Sequence, residues 1–323
     1  MKKMFVYSTY GLRIKSFMPL PELLPATELE WDISIDVGST DCIPVEVLGK
    51  QWYLKITPTQ AVLYLPGLVT FVVCEGLRIL IDAAPDADED LVRAYLVGMV
   101  MGIVLFQRGL SVLHASAVEV NGCSVAFMGN SGQGKSSLAA ALQRQGYALR
   151  NDDVTPVSLN GDLAIAYPGF PQMKLSSESA AVLEYSPDLL FELNSLEHKR
   201  GYRVIDTFTQ TPLPLRCIYL LERGDDMQVT EPLNPSEALM ELISQSWPTR
   251  LGQPGGSHHF LQCCDLAKRV PFYRLHRTDN LSRLPDLAKF VKDHLEWQAE
   301  LNPNLLNVCQ CSKPTPDYEF CSI

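Results

Sequence analysis

The 323-residue sequence has no apolar run long enough to cross a bilayer, which takes about 20 residues. Its longest run, at 94–106, is bounded by Arg93 on one side and Gln107-Arg108 on the other, and predicts a buried helix. No apolar stretch of leader length follows Met1-Lys2-Lys3, because Tyr10, Arg13 and Lys15 interrupt it. No secretory signal is therefore expected. A surplus of basic charge is missing too. The net charge is −10 and the pI about 5.1, which argues against a duplex nucleic-acid binder. A local basic pocket for phosphates stays compatible with that balance. Nine cysteines are present, without small-domain spacing. This predicts reduced thiols and a cytoplasmic protein. Cys309-Gln310-Cys311 lacks a second Cys or His pair at finger spacing, so a zinc site is not expected there. Repeats and low-complexity blocks are absent.

What is present is the composition of a globular chain, 46% hydrophobic and 20% charged. Short apolar or alternating runs at 51–56, 61–65, 69–73 and 77–81 predict strands, the last after a Glu75-Gly76 turn. The acidic stretch 82–90 breaks this pattern, and 91–107 then suits a helix with Asp90 near its start. The expected organisation is a smaller β-rich N-terminal domain over 1–90, an α/β domain over 91–301, and a Pro-containing tail over 302–323.

Strands are predicted at 111–115, 117–120 and 124–128, with Asn121-Gly122 joining the last two as a hairpin. The third strand runs into Gly129-Asn130-Ser131-Gly132-Gln133-Gly134-Lys135-Ser136. This is the full G-x-x-x-x-G-K-[ST] phosphate-loop pattern. Its glycines let backbone N–H groups face phosphate oxygens, and the N-terminus of the helix that follows adds partial positive charge. Lys135 would reach the β- and γ-phosphates, and the Ser136 hydroxyl would be a ligand for Mg²⁺. The helix, 135–145, is closed by Gly146, and a strand at 147–150 leads into Asn151-Asp152-Asp153.

Asp152 and Asp153 thus stand at the carboxyl end of a strand beside the loop, the edge where α/β sheets hold ligands. Two adjacent acids in apolar surroundings call for a cation. Mg²⁺ would supply it, one carboxylate holding metal while the other takes a proton from a hydroxyl. A turn or helix cap is the bland alternative. His114 is placed on the strand before the hairpin. His258-His259 follows the Gly- and Pro-containing stretch 252–256 and is expected in a loop, with no chemistry. Further strands are predicted at 215–222 and 272–276, and helices at 236–246, with Ser236 as N-cap, and at 284–296.

In order and spacing, Leu113-His114-Ala115-Ser116-Ala117-Val118, the loop from Gly129 to Ser137, and Gly146 through Asp152-Asp153 resemble the HPr serine kinase/phosphorylase superfamily. The resemblance implies an ATP- and Mg²⁺-dependent kinase with an HPr kinase-like P-loop fold. Asp152 would be the proton acceptor, Asp153 would help hold Mg²⁺, and His114 would lie beside them, with Gly129 through Ser137 holding ATP. Tyr10-Gly11-Leu12, the segment from Tyr167 to Leu175, Pro212-Leu213-Pro214-Leu215 and Tyr273-Arg274-Leu275 are similar to the branch found with lasso-peptide and other peptide natural-product biosynthesis. In that branch the acceptor is a serine of a precursor peptide. The Glu-Ile-Arg-Gly-type signature of true HPr kinases is missing, and the segment from Pro171 to Leu175 stands roughly in its place. Lys174, Lys199 and Arg200 are candidates for steadying phosphate or an acidic end of the substrate. A nucleotide-sensing regulator without transfer activity and a small-metabolite kinase fit the same motifs. Neither nucleic acid nor membrane is expected as a partner, and a homo-oligomer is left open.

Overall fold

A computed structural model describes residues 3–301 apart from 28–29, 45–47, 50, 194–198 and 254. The expected tail, with Cys309 and Cys311, lies outside the described residues. The described chain is mixed α/β with three sheets. It divides into two compact units, one running to Val112 with Glu192 and Leu193, the other holding 113–191 and 199–301.

The first unit carries β1 (Phe5–Thr9), β2 (Leu12–Ser16), β3 (Leu24–Pro25), β4 (Ile33–Val37), β5 (Tyr53–Ile56), β6 (Gln60–Leu65), β7 (Val69–Cys74) and β8 (Arg78–Ala83). They form one sheet in the order β3-β1-β2-β4-β8-β7-β6-β5. Two of its turns, Tyr10-Gly11 and Glu75-Gly76, have positive φ at both residues, the geometry of tight two-residue hairpins. The helix expected at 91–107 is α1 (Glu89–Tyr95), a π-helical stretch at Leu96–Val100, and α2 (Met101–Gln107). Its N-cap is Asp88, whose carboxylate accepts from the N–H groups of Asp90 and Leu91. These helices belong to the first unit, so the division follows Val112 instead of residue 90. The side chains explain why. Arg93 pairs with Glu22, Gln107 donates to the carbonyl of Thr57, and Arg108 donates to that of Gly76.

After β9 (Ser111–Leu113), the second unit contains β10 (Ala115–Val120), β11 (Cys123–Met128), α3 (Lys135–Arg144), β12 (Leu149–Asn151), β13 (Thr155–Asn160) and β14 (Leu163–Ala166). Then come β15 (Gln172–Leu175), α4 (Ser177–Val182), β16 (Leu190–Glu192), β17 (Arg200–Arg203) and β18 (Leu213–Arg223). The chain ends with β19 (Gln228–Val229), α5 (Pro235–Gln245), α6 (Trp247–Arg250), α7 (Gly256–Arg269), β20 (Phe272–Arg277) and α8 (Leu284–Leu301). The main sheet runs β12-β10-β11-β18-β14-β13, with β20 paired to β18. Strands β11, β18 and β20 are parallel. Their carboxyl ends therefore share one edge.

Strand β11 is buried along its whole length, because both sheet faces are covered. Val125 and Phe127 pack with Leu138, Leu142, Leu287 and Val291 of α3 and α8. Ala126 and Met128 point the other way, to Leu242 of α5 and Leu266 of α7. The period-two alternation of a strand produces this split.

Several expectations need correction. His114 sits between β9 and β10 instead of on a strand. The cap of α5 is Asn234, in a reciprocal capping box with Glu237, and not Ser236. His258-His259 is helical, in α7, with His259 buried against Cys263 one turn on. Cys42, Cys74, Cys217, Cys263 and Cys264 are free. No helix among the described residues is long and apolar enough to cross a membrane.

Candidate nucleotide and phosphoryl-transfer site

The turn from β11 into α3 is made by glycines in backbone conformations that other residues rarely adopt. Gly129 has φ 153° and Gly134 has φ 89°. A Cβ on Gly129 would collide with the Gln133 amide oxygen, and one on Gly134 would meet Arg277 Nε at 3.2 Å. Gly134 is also the N-cap of α3 and offers no side-chain oxygen to the first turn, so the helix N-terminus stays open to an anion. Gln133 braces the loop from inside, its amide oxygen accepting from the N–H of Asn130 at 2.6 Å. Asn130, Ser131 and Gly132 are at the surface.

Lys135 is buried at the base of the loop, 6% exposed. Its ammonium donates to the carbonyls of Gly129 (2.8 Å) and Asn130 (3.3 Å). Burial lowers its pKa to about 8, Asp153 and Asp152 opposing and Arg250 and Lys199 adding to the shift. The site thus holds a cation that the loop's own carbonyls only partly compensate.

Asp152 meets the loop directly. Its Oδ1 accepts from Ser136 Oγ and from Ser116 Oγ, each at 2.7 Å, and its Oδ2 accepts from the backbone N–H of Lys174 at 2.8 Å. Burial, and then the charge of Asp153, push its pKa up. Asp153 adopts φ 75°, an uncommon value for a residue with a side chain. Burial would raise its pKa too, but the Lys174 ammonium, 2.6 Å from its Oδ2, takes it well below the usual carboxylate range. The two acids are therefore unlike. One faces the loop hydroxyl, and the other faces a lysine. Lys174 organises both, with its backbone on Asp152 and its side chain on Asp153. The edge strand β15 fixes it there, Lys174 opposing Gly201 of β17.

His114 is pushed down to about 3, by burial and then by the charge of Lys135. It is neutral and hydrogen-bonded to the Asp153 backbone. Its ring lies 6.1 Å from that of Trp247. Lys199 is close enough to lower Asp153 further. Arg200 is the next residue, the first of β17, and opposes Leu175. The Ser137 hydroxyl is bonded to Ser179 Oγ of α4 at 2.8 Å, not turned toward the loop.

The sequence-predicted residues Gly129 through Ser136, His114, Asp152, Asp153 and Lys174 thus converge. Three others were not foreseen. Ser116 shares Asp152 with Ser136. Arg250, at the end of α6, acts electrostatically on both Lys135 and His114. Arg277, the last residue of β20, clamps the outside of the loop, donating to the carbonyls of Gln133 (2.7 Å) and Gly132 (3.3 Å). A residue at the carboxyl end of a parallel strand near the loop was the available signal for Arg277.

No family model and no curated protein matches the chain. Among solved structures it is similar to the HPr(Ser) kinase/phosphatase from Coxiella burnetii, at 15% identity and a TM-score of 0.33. That match covers 58% of this chain and 97% of the other. At such a distance neither activity nor substrate is transferred.

The donor chemistry fits a hard divalent cation. The Ser136 hydroxyl and the Asp152 carboxylate are hydrogen-bonded to one another, so both oxygens border one spot beside the open helix N-terminus. Mg²⁺ in phosphate sites takes one or two carboxylates, waters and substrate phosphates.

Proposed function

We propose that this chain is an ATP- and Mg²⁺-dependent phosphotransferase that passes the γ-phosphoryl group to a serine hydroxyl of a peptide or small protein. The observation that carries it is the hydrogen bond from Ser136 Oγ to Asp152 Oδ1, with Asp153 turned away to Lys174. It joins the glycine loop to one carboxylate and leaves the neighbouring carboxylate for another task.

That geometry favours exchanging the roles inferred from the sequence. Asp152, with Ser136, would hold Mg²⁺, and Asp153 would accept the proton of the incoming hydroxyl. Lys174 holds the Asp153 carboxylate ionised and in place, and makes it a weaker base while the pair is intact. Bound Mg²⁺ and ATP supply the phosphoryl group and the neutralisation of its charge. The open N-terminus of α3, the loop N–H groups and Lys135 contribute positive potential for the triphosphate. His114 stays neutral beside Asp153 and braces its backbone. Lys199 and Arg200 lie near enough along the chain to meet an acidic or phosphorylated substrate end.

The peptide acceptor, and a natural-product precursor in particular, rests on the sequence resemblance. A flexible segment can bring its hydroxyl in line beside the half-buried Asp153 more readily than a serine on a rigid helix. The test is transfer from γ-labelled ATP to a pool of serine-containing peptides, with Ser→Ala counterparts and free serine alongside. Label in the serine peptides alone supports the reading. Label in free serine, with none in any peptide, contradicts it.

A further inference from the structure

Four carbonyl oxygens of the phosphate loop are held by two cations. From inside, Lys135 takes those of Gly129 and Asn130. From outside, Arg277 takes that of Gln133 through Nε, at 2.7 Å, and that of Gly132 through Nη2, at 3.3 Å. The arginine is itself anchored at the strand ends. Its Nη1 donates to the Thr278 carbonyl at 2.9 Å and lies 3.4 Å from Asp279 Oδ1, which also pairs with Arg223 at 3.2 Å. Arg223 and Arg277 oppose one another as the last residues of β18 and β20. Only 7% of Arg277 is exposed, so it has little freedom to leave the loop.

The stretch it holds would otherwise turn easily. Gly132 and Gly134 have φ of 81° and 89°, and glycine moves between such conformations at little steric cost. A trans peptide points its carbonyl and the following N–H in opposite directions. Holding the Gln133 carbonyl on Arg277 therefore turns the Gly134 N–H away from the arginine. Among the described residues that N–H has no acceptor. A flip of the same peptide would present an oxygen to the phosphates in place of a donor.

We propose that Arg277 is a positioning residue of the phosphate loop, keeping the 133–134 peptide turned so that the Gly134 N–H faces the triphosphate. This rests on the phosphotransferase reading and adds to it a residue that acts on the phosphates through the loop backbone, without touching them. The planar guanidinium suits that role, since one fork reaches two loop carbonyls and its own anchor together. A lysine ammonium in its place keeps the charge and loses the fork.

Two measurements on the full chain test it, each with wild type, Arg277→Lys and Arg277→Met, well below their melting temperatures. The first is hydrogen exchange without ligand over 129–136, where the Asn130 and Gln133 N–H groups are bonded within the loop. Both variants should exchange faster there by about tenfold, with β11 as the internal reference for global opening. The second is calorimetry of Mg²⁺-dependent binding of ATP and of inorganic tripolyphosphate. Both variants should bind both ligands about tenfold more weakly or worse, and by similar factors, because only the phosphates feel the change. Wild-type affinity in Arg277→Lys would overturn the proposal, since charge alone would then suffice. Unchanged loop exchange in both variants would overturn it as well. If the wild type binds neither ligand, the phosphotransferase reading falls as a whole. Binding that the variants retain in full removes the role of Arg277 alone.

Discussion

Ser136 Oγ and Asp152 Oδ1 lie 2.7 Å apart, one at the first turn of α3 and the other just past β12. Ser116, on the strand between β11 and β12, donates to the same carboxylate oxygen at 2.7 Å. Two hydroxyls and the Lys174 N–H therefore engage both Asp152 oxygens before any ligand arrives. Its carboxylate is positioned without freedom to swing, as a metal-holding group should be.

Lys135 gives the first prediction. Its pKa in the folded state is about 8, below the ordinary 10.5, so the unfolded chain binds more protons between those values. Ligand-free stability should rise with pH across that window, on the order of 3 kcal/mol at most from this group. Lys135→Met should be at least as stable as the wild type near pH 7, lack that rise, and lose ATP affinity. Urea unfolding at pH 7, 8.5 and 10 reads it. An identical pH slope in both proteins would sink the claim that the buried ammonium is strained.

For His114 the window lies lower. The side chain stays neutral in the fold down to about 3 and titrates near 6.5 when unfolded. The stability tied to the neutral ring is complete above 6.5 and is lost as pH falls toward 3. His114→Gln should therefore show a shallower loss between pH 6.5 and 4.5, measured by the same unfolding curves. Equal slopes would mean that His114 is charged, or is not buried, in the native protein.

Asp153→Asn separates binding from transfer. Asparagine keeps the shape but cannot accept the hydroxyl proton at neutral pH. ATP affinity should change little, while phosphoryl transfer falls by roughly 10² to 10⁴. Rapid-quench assays with an acceptor peptide decide it. Wild-type transfer rates would return the proton-accepting role to Asp152 or to water.

Gly134→Ala probes the loop itself. The φ of 89° costs an L-residue about 1–2 kcal/mol, and the new methyl group presses on the Arg277 guanidinium. Melting temperature should drop and ATP binding weaken together. Arg277→Met should relieve part of the crowding, and melting curves of the double variant read it. No rescue there would mean that backbone strain alone carries the effect.

The loop was legible because its chemistry is local. Three glycines, Lys135 and Ser136 fall within eight consecutive positions, and the strand–loop–helix they predict is formed. The strand before it and the hairpin at Asn121-Gly122 were legible for the same reason. Asn160-Gly161, which turns β13 into β14, carries the same dipeptide and went unread, since the flanking residues 155–160 and 163–166 alternate weakly. Ser116 could not be read from spacing, and Arg277 only from its place at the carboxyl end of a strand. Ser116 meets Asp152 through the pairing of β10 with β12, and Arg277 is brought to the loop by the pairing of β18 with β20. The assignment of the two acids turned on a contact too: only the fold reveals that Ser136 meets Asp152 and that Lys174 claims Asp153.

The most direct measurement is ATP affinity as a function of Mg²⁺, by titration calorimetry, in the wild type, Ser136→Ala and Asp152→Asn. If the loop hydroxyl and Asp152 together hold the metal, wild-type binding should tighten steeply with Mg²⁺. Each variant should lose most of that gain, yet keep the weaker metal-free affinity. The same Mg²⁺ dependence in all three proteins would contradict the account.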